Sequence, residues 1–286
     1  MGEMLGERWC EPGGPARLDA GGAELEAFTV GPAPDRAPTL VLLHEGLGCV
    51  ALWRDFPRLL SDATECGVLV FSRTGYGTSD PCMLPRPLDY MTREAVSVLP
   101  EVLDAAGIRE GILIGHSDGA SIAAIHCGEI RDPRVRGLVL MAPHFFTEEM
   151  GLAAIGEART AYVEGDLRNR LAKYHSDVDV AFRGWNDAWL DPAFKAWDIR
   201  TCLDRIQVPV LCLQGEGDQY GTVEQVRVVA ERVPEQVEIR MIADCRHAPH
   251  LEASDTTLRE ITEFVAGLRA GGALTIGAMD VRRIPD

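Results

Sequence analysis

The chain has 286 residues, 46% of them apolar and 25% charged, the balance of an ordinary soluble globular protein and enough for one enlarged domain rather than two. Lys and Arg number 28 against 44 Asp and Glu, a net charge of −16, which repels a phosphate backbone or an anionic membrane surface and makes nucleic-acid binding a poor reading. Lys173 and Lys195 are the only lysines, so chemistry built on a phosphate-loop or Schiff-base lysine largely drops out.

No run approaches the roughly 18 apolar residues of a membrane helix, and the first eight residues lack a secretory core. A cytoplasmic protein without a lipid anchor is expected. The 8 cysteines, at positions 10, 49, 66, 82, 127, 202, 212 and 245, include no Cys-x-x-Cys pair and are expected as reduced thiols in or near the core.

In chain order, residues 1–23 read as a mobile segment, Gly- and Pro-rich at Pro12-Gly13-Gly14-Pro15. Short Val/Ile/Leu runs then alternate with stretches of helical period: strand 39–43 and helix 51–63, strand 67–71 and helix 91–106, strand 111–114 and helix 120–130, strand 135–141. The alternation resumes with strand 208–213, helix 223–233, strand 237–242 and helix 256–268. Continuous apolar runs that each lead into a helix are the pattern of parallel strands buried on both faces. The fold class expected is therefore α/β, with a mostly parallel central sheet flanked by helices, built from residues 24–143 and 202–270. Residues 144–201 lack strand-like runs and carry Trp185, Trp189 and Trp197. They read as a mostly helical cap over the carboxyl ends of the strands, where open α/β sheets form their crevices. Residues 271–286 form a tail.

The strand at 111–114 runs into Gly115-His116-Ser117-Asp118-Gly119 and then a helix, which is G-x-S-x-G in the strand–turn–helix setting that exposes a nucleophile. A serine needs a base, and the base needs an orienting carboxylate. Asp218 follows the strand at 208–213, and His247 follows the strand at 237–242. The order Ser117, Asp218, His247 is that of this arrangement.

On these motifs the sequence resembles the α/β-hydrolase superfamily over residues 24 to 268. His44-Glu45-Gly46-Leu47-Gly48 is similar to its H-G-G-x-G oxyanion loop, Ser72-Arg73-Thr74-Gly75-Tyr76-Gly77-Thr78-Ser79 to its D-R-x-G-x-G-x-S turn, and His247-Ala248-Pro249-His250-Leu251-Glu252 to its H-x-P-H-x-E ending. The resemblance implies backbone N–H groups of Gly46 and Asp118 as the oxyanion hole. It implies a serine hydrolase acting on an acyl bond of a small molecule, with no cofactor, no metal, and neither nucleic acid nor membrane as partner. Glu45 and Ser72 depart from the pattern, each standing where the family usually has Gly and Asp respectively. Serine at position 117 argues against the dehalogenase and epoxide-hydrolase branches, whose nucleophile is a carboxylate. Candidate pocket residues are Glu45, Leu47, His144, Phe145, Phe146, Trp185, Trp189 and Tyr220.

Other readings compete. Glu216 or Asp244 could orient the histidine in place of Asp218, and His250 could exchange roles with His247. Glu45 either turns away to shape its loop or contacts substrate. Gly46-Leu47-Gly48-Cys49-Val50-Ala51 fits a dinucleotide-binding G-x-G-x-x-A, and Cys245, His247 and His250 are a short set of metal-type ligands. Within the same fold, a lyase, a cofactor-free oxygenase or a carbon–carbon bond hydrolase would also use His247 as base, and a small-molecule receptor would turn over little.

Overall fold

The computed structural model describes Trp9 and residues 14–233 and 237–271. Strands β1 (Gly14–Ala20), β2 (Ala23–Val30), β3 (Thr39–Leu43), β4 (Gly67–Phe71), β5 (Gly111–His116), β6 (Val135–Met141), β7 (Val210–Gly215) and β8 (Val237–Ile242) form one sheet in the order β1-β2-β4-β3-β5-β6-β7-β8. Strands β3 to β8 pair in parallel. The β1–β2 hairpin joins antiparallel through β2 and β4. The expectation of a mobile segment through residue 23 fails for residues 14–23: Ala16, Leu18 and Ala20 alternate with exposed neighbours and are buried, as an edge strand with one wet face requires.

The helices are α1 (Phe56–Thr64), α2 (Tyr90–Arg93), α3 (Leu99–Ala105), α4 (Asp118–Glu129), α5 (Glu149–Val163), α6 (Leu167–Leu171), α7 (Val178–Trp189), α8 (Glu224–Arg232), α9 (Pro249–Glu252) and α10 (Ser254–Arg269). Successive strand residues serve opposite faces. Leu40, Leu42, Val68, Val70, Ile112 and Ile114 pack with Phe56, Leu60, Ile261 and Phe264 of α1 and α10. Val41, Leu43, Leu69 and Leu113 face the other way, with Leu99, Leu103, Ile122 and Val226 of α3, α4 and α8.

Three expected elements shift for local reasons. The helix expected over 51–63 is interrupted at Arg54, whose φ is 53°. The one expected over 91–106 widens into a π turn at Glu94–Val98, just before Pro100, which has no N–H to donate. The strand expected at 208–213 starts at Val210, after Pro209.

The chain leaves β3 for β4 on one side and returns to β5 on the other, so the carboxyl ends of β3 and β5 flank the point where the strand order reverses, the place where such sheets hold ligands. The segment from His144 to Arg200 covers that point with α5, α6 and α7. Its two ends meet: Phe146 bridges Asp198, and the Ile199 N–H donates to the Phe145 carbonyl at 2.8 Å. The tail residues 272–286 lie outside the described residues, as does Cys10. The cysteines among the described residues are unpaired thiols.

Candidate active site

Strand β5 ends at His116 and α4 begins at Asp118, so Ser117 makes the turn alone, at φ 53° and ψ −118°. That is a costly conformation for a residue with a side chain, tolerated where the surroundings impose it. A Cβ on Gly115 would lie 2.3 Å from the Gly119 carbonyl oxygen, and one on Gly119 would lie 2.1 Å from that of Leu43. Only glycine permits this closeness, which is the physical content of the motif. The Ser117 N–H is used, donating to the Met141 carbonyl at 2.9 Å. The N–H groups of Gly46 and Asp118 serve no backbone acceptor among the described residues, and that of Asp118 opens a helix whose dipole favours negative charge.

His247 donates from Nδ1 to Asp218, 2.8 Å from Oδ1 and 2.9 Å from Oδ2. Asp218 also accepts from the Tyr220 N–H at 2.8 Å and from Gln214 Nε2 at 3.0 Å. Burial pushes its carboxyl up, but His247 and the Tyr220 N–H hold it below the usual carboxylate value. The Ser117 hydroxyl has no hydrogen-bond partner among the described residues, and both it and His247 open on one cavity. Glu216 and Asp244 are exposed and bond nothing at His247. His250 is buried against Trp53, with ring centroids 4.6 Å apart, and burial lowers it to about 3, so it packs as a neutral ring away from Asp218. With His250 there and His247 on Asp218, the two do not gather with Cys245 as a ligand set, and no metal-ligand set is found among the described residues.

The loop after β3 is held by Arg73. Its backbone N–H donates to His44 Nε2 at 3.0 Å, and its guanidinium donates to the carbonyls of His44 and Glu45 at 2.6 and 2.9 Å. Nε2 accepts, so the His44 proton is on Nδ1, facing the Glu45 carbonyl at 2.6 Å. Burial and the adjacent Arg73 hold His44 neutral. Ser72 serves in place of the usual aspartate by accepting from the Val50 N–H at 2.9 Å and donating to Glu26 Oε2 at 2.6 Å. The Asp118 carboxylate is fully buried and accepts from Tyr90 Oη, which in turn accepts from Trp189 Nε1 at 3.1 Å. Burial raises its pKa against the pull of Arg73.

The cavity measures about 180 Å³ and is lined by Glu45, Gly46, Leu47, Ser117, Asp118, His144, Phe146, Trp185, Trp189, Tyr220 and His247. Phe145 is a correction: it is fully buried in the core, its N–H donating to Gln225 Oε1 at 2.8 Å. Adjacent residues on an extended segment face opposite ways, and Phe146 takes the cavity side. The sequence reading missed Glu148, Gly151, Leu152 and Ile155, which also line it. The last three fall on one face of α5, and their helical spacing was the available signal. Glu148 is occupied by Thr222 and Gln225. A Cβ on Gly46 would lie 2.2 Å from Trp185 Cδ1, so the cap rests directly on the loop. The His144 ring lies 5.6 Å from that of His247 and 5.4 Å from that of Trp189. Burial and the neighbouring His247 lower it to about 3. The loop 46–51, read alternatively as a dinucleotide turn, packs its first glycine under Trp185 instead.

A family model described as the alpha/beta hydrolase family matches residues 40–260. Among curated proteins, epoxide hydrolase 3 of Siraitia grosvenorii is 27% identical over 145 residues, 51% of this chain and 43% of that protein. Epoxide hydrolase 2 of the same plant is 27% identical over 128 residues, 45% and 38% of the two chains. The chain thus matches less than half the length of these relatives. Among solved structures, proline iminopeptidase of Mycobacterium smegmatis superposes with a TM-score of 0.71 at 18% identity, covering 90% of this chain and 99% of that one. An enol-lactonase from Burkholderia xenovorans gives 0.66 at 20%, covering 88% and 100%. Naproxen esterase of Bacillus subtilis gives 0.68 at 17%, covering 91% and 94%. At these identities the structural likeness is one of fold. Among the described residues, no helix is long and apolar enough to cross a membrane.

Proposed function

Because the chain belongs to the α/β-hydrolase family, we propose that it is a serine hydrolase cleaving an acyl bond, a carboxylic ester or thioester, of a small molecule through an acyl–Ser117 intermediate. The observation that carries this reading is the His247 Nδ1–H on Asp218, with Ser117 and His247 facing one cavity beside the amides of Gly46 and Asp118. With Nδ1 committed as donor, Nε2 is the ring's acceptor. It takes the Ser117 proton as Oγ adds to the carbonyl carbon, and Asp218 stabilises the imidazolium. The two amides bind the oxyanion, each worth on the order of 10²–10³ in rate. The imidazolium returns its proton to the leaving oxygen or sulfur, and water, deprotonated by His247, then releases the acid.

The curated relatives are named epoxide hydrolases, a chemistry that in the related branches uses a carboxylate nucleophile. Here the elbow carries Ser117, and the neighbouring Asp118 carboxylate is buried and engaged by the Tyr90 hydroxyl. A lyase or oxygenase would use His247 as base without an acyl-enzyme. Rapid mixing with p-nitrophenyl butyrate, followed by acid quench and intact mass measurement, separates the readings. A butyryl adduct in the native protein that is missing in Ser117→Ala is expected, and turnover without any adduct, undiminished in Ser117→Ala, contradicts the proposal.

A further inference from the structure

Glu45 stands between His44 and Gly46, next to an amide assigned to the oxyanion. A bare carboxylate there would oppose the charge that has to form, since opposite charges near a site stabilise and like charges destabilise. Its surroundings resolve the conflict. Glu45 Oε2 lies 3.6 Å from His116 Nδ1, and that ring is buried, its side chain 3% exposed. His116 Nε2 lies 2.7 Å from the His247 carbonyl oxygen. Both ring nitrogens of His116 therefore face oxygens, Nε2 at hydrogen-bond distance and Nδ1 at ion-pair distance, and Nδ1 has no hydrogen-bond partner among the described residues. A neutral imidazole carries one N–H and would leave a lone pair against one of these oxygens; only the doubly protonated ring suits both.

The other groups around His116 agree. The His247 and His250 rings lie 5.2 and 5.0 Å away. His250 and His144 are held neutral by burial, and Asp218 adds an attractive negative charge from the loop after β7. Burial works against a charged His116, yet the adjacent Glu45 carboxylate, the His247 carbonyl and Asp218 together raise its pKa. Burial likewise pushes Glu45 up, and His116 more than reverses it.

We propose that Glu45 is a positioning residue that keeps His116 as an imidazolium, the pair fastening the loop after β3 to the loop that carries His247 and cancelling the carboxylate's charge beside the oxyanion site. The ion pair itself does not depend on the reaction; its effect on turnover rests on the serine-hydrolase reading.

The test is nitrogen NMR on protein labelled in its histidine rings, with the His116 signals identified as those lost in His116→Gln. The account expects both His116 nitrogens to show imidazolium shifts at pH 7, with a titration midpoint above the ordinary value of about 6.5. Glu45→Gln should lower that midpoint by about one unit or more, because a neutral amide no longer favours the charged ring. A neutral His116 at pH 7, or a midpoint that Glu45→Gln leaves in place, overturns the proposal. If His116→Gln does not fold, the same signals are assigned through their contact with the His250 ring, and Glu45→Gln carries the test.

A kinetic arm examines the charge cancellation. His116→Gln alone should lower kcat about tenfold or more with KM changed by less than about threefold, a loss confined to the transition state. Adding Glu45→Gln should recover most of that loss, because the unmatched charge is gone. A double variant as impaired as the single, or worse, contradicts the cancellation. The ring measurement needs no substrate, so a protein that hydrolyses nothing would fail the hydrolase reading while the NMR result still judges the ion pair.

Discussion

His247 places Nδ1 between the two carboxylate oxygens of Asp218, at 2.8 and 2.9 Å, and this pairing fixes which ring nitrogen is left to act on Ser117. Asp218→Asn keeps the shape but offers an amide that turns the ring to its other tautomer. Activity should fall by roughly three to four orders of magnitude, with little change in melting temperature. Glu216→Gln, on an exposed side chain, should stay within about twofold of the native kcat/KM. Steady-state kinetics of the two variants decides the identity of the acid.

Acid stability follows from the buried neutral rings. His144 and His250 are each lowered to about 3 by burial, whereas an unfolded histidine titrates near 6.5. Between these values the unfolded chain binds more protons than the native one, so stability rises with pH and is lost as pH falls. At pH 5 each ring costs up to about 2 kcal/mol relative to pH 8. Urea unfolding at pH 8 and pH 5 should show this drop in the native protein and a smaller one in His250→Asn. An equal drop in both would mean that His250 takes no part.

Tyr90 Oη bridges Trp189 of the cap to the Asp118 carboxylate, whose Oδ1 has no partner. Tyr90→Phe removes a hydroxyl donor from this buried carboxylate, which should destabilise the protein by about 1–3 kcal/mol in urea titration. It should also lower kcat, because the Asp118 amide loses the anchor of its own side chain. A variant as stable and active as the native protein would remove Asp118 from the tether.

Among the described residues no Lys or Arg lines the cavity, and Glu45 and Glu148 do. An ester whose acyl chain ends in a methyl group should be hydrolysed with a kcat/KM about tenfold or more above that of the equally long chain ending in a carboxylate, the direction expected of a site that offers an anion no partner. Equal rates for the two would show that charge does not select the substrate.

The parallel strands were legible because burial on both faces leaves no choice but continuous runs such as Leu40-Val41-Leu42-Leu43 and Val68-Leu69-Val70-Phe71, all buried. The hairpin β1–β2 was not, because an edge strand alternates: Arg17 and Asp19 face water between Ala16, Leu18 and Ala20, and the glycines and prolines beside it suggest loop. Ser117, Asp218 and His247 could be read because each is set by its own strand end, a local feature. The cavity wall could be read only in part. Whether Phe145 or Phe146 faces inward, and that Leu152 and Ile155 join them, depends on how the cap packs. Glu45 was readable as a departure from a pattern, but its partner His116 comes from a different strand end, 71 residues further along the chain, which no local pattern announces.

The account's central claim is an activated serine at position 117, and labelling with a fluorophosphonate probe tests it most directly. Native protein should take up the probe, with peptide mass spectrometry placing the adduct on Ser117, while Ser117→Ala, folded by circular dichroism, takes up none. Native protein that stays unlabelled although it turns over a small ester, or an adduct on another residue with Ser117 unmodified, would contradict the claim.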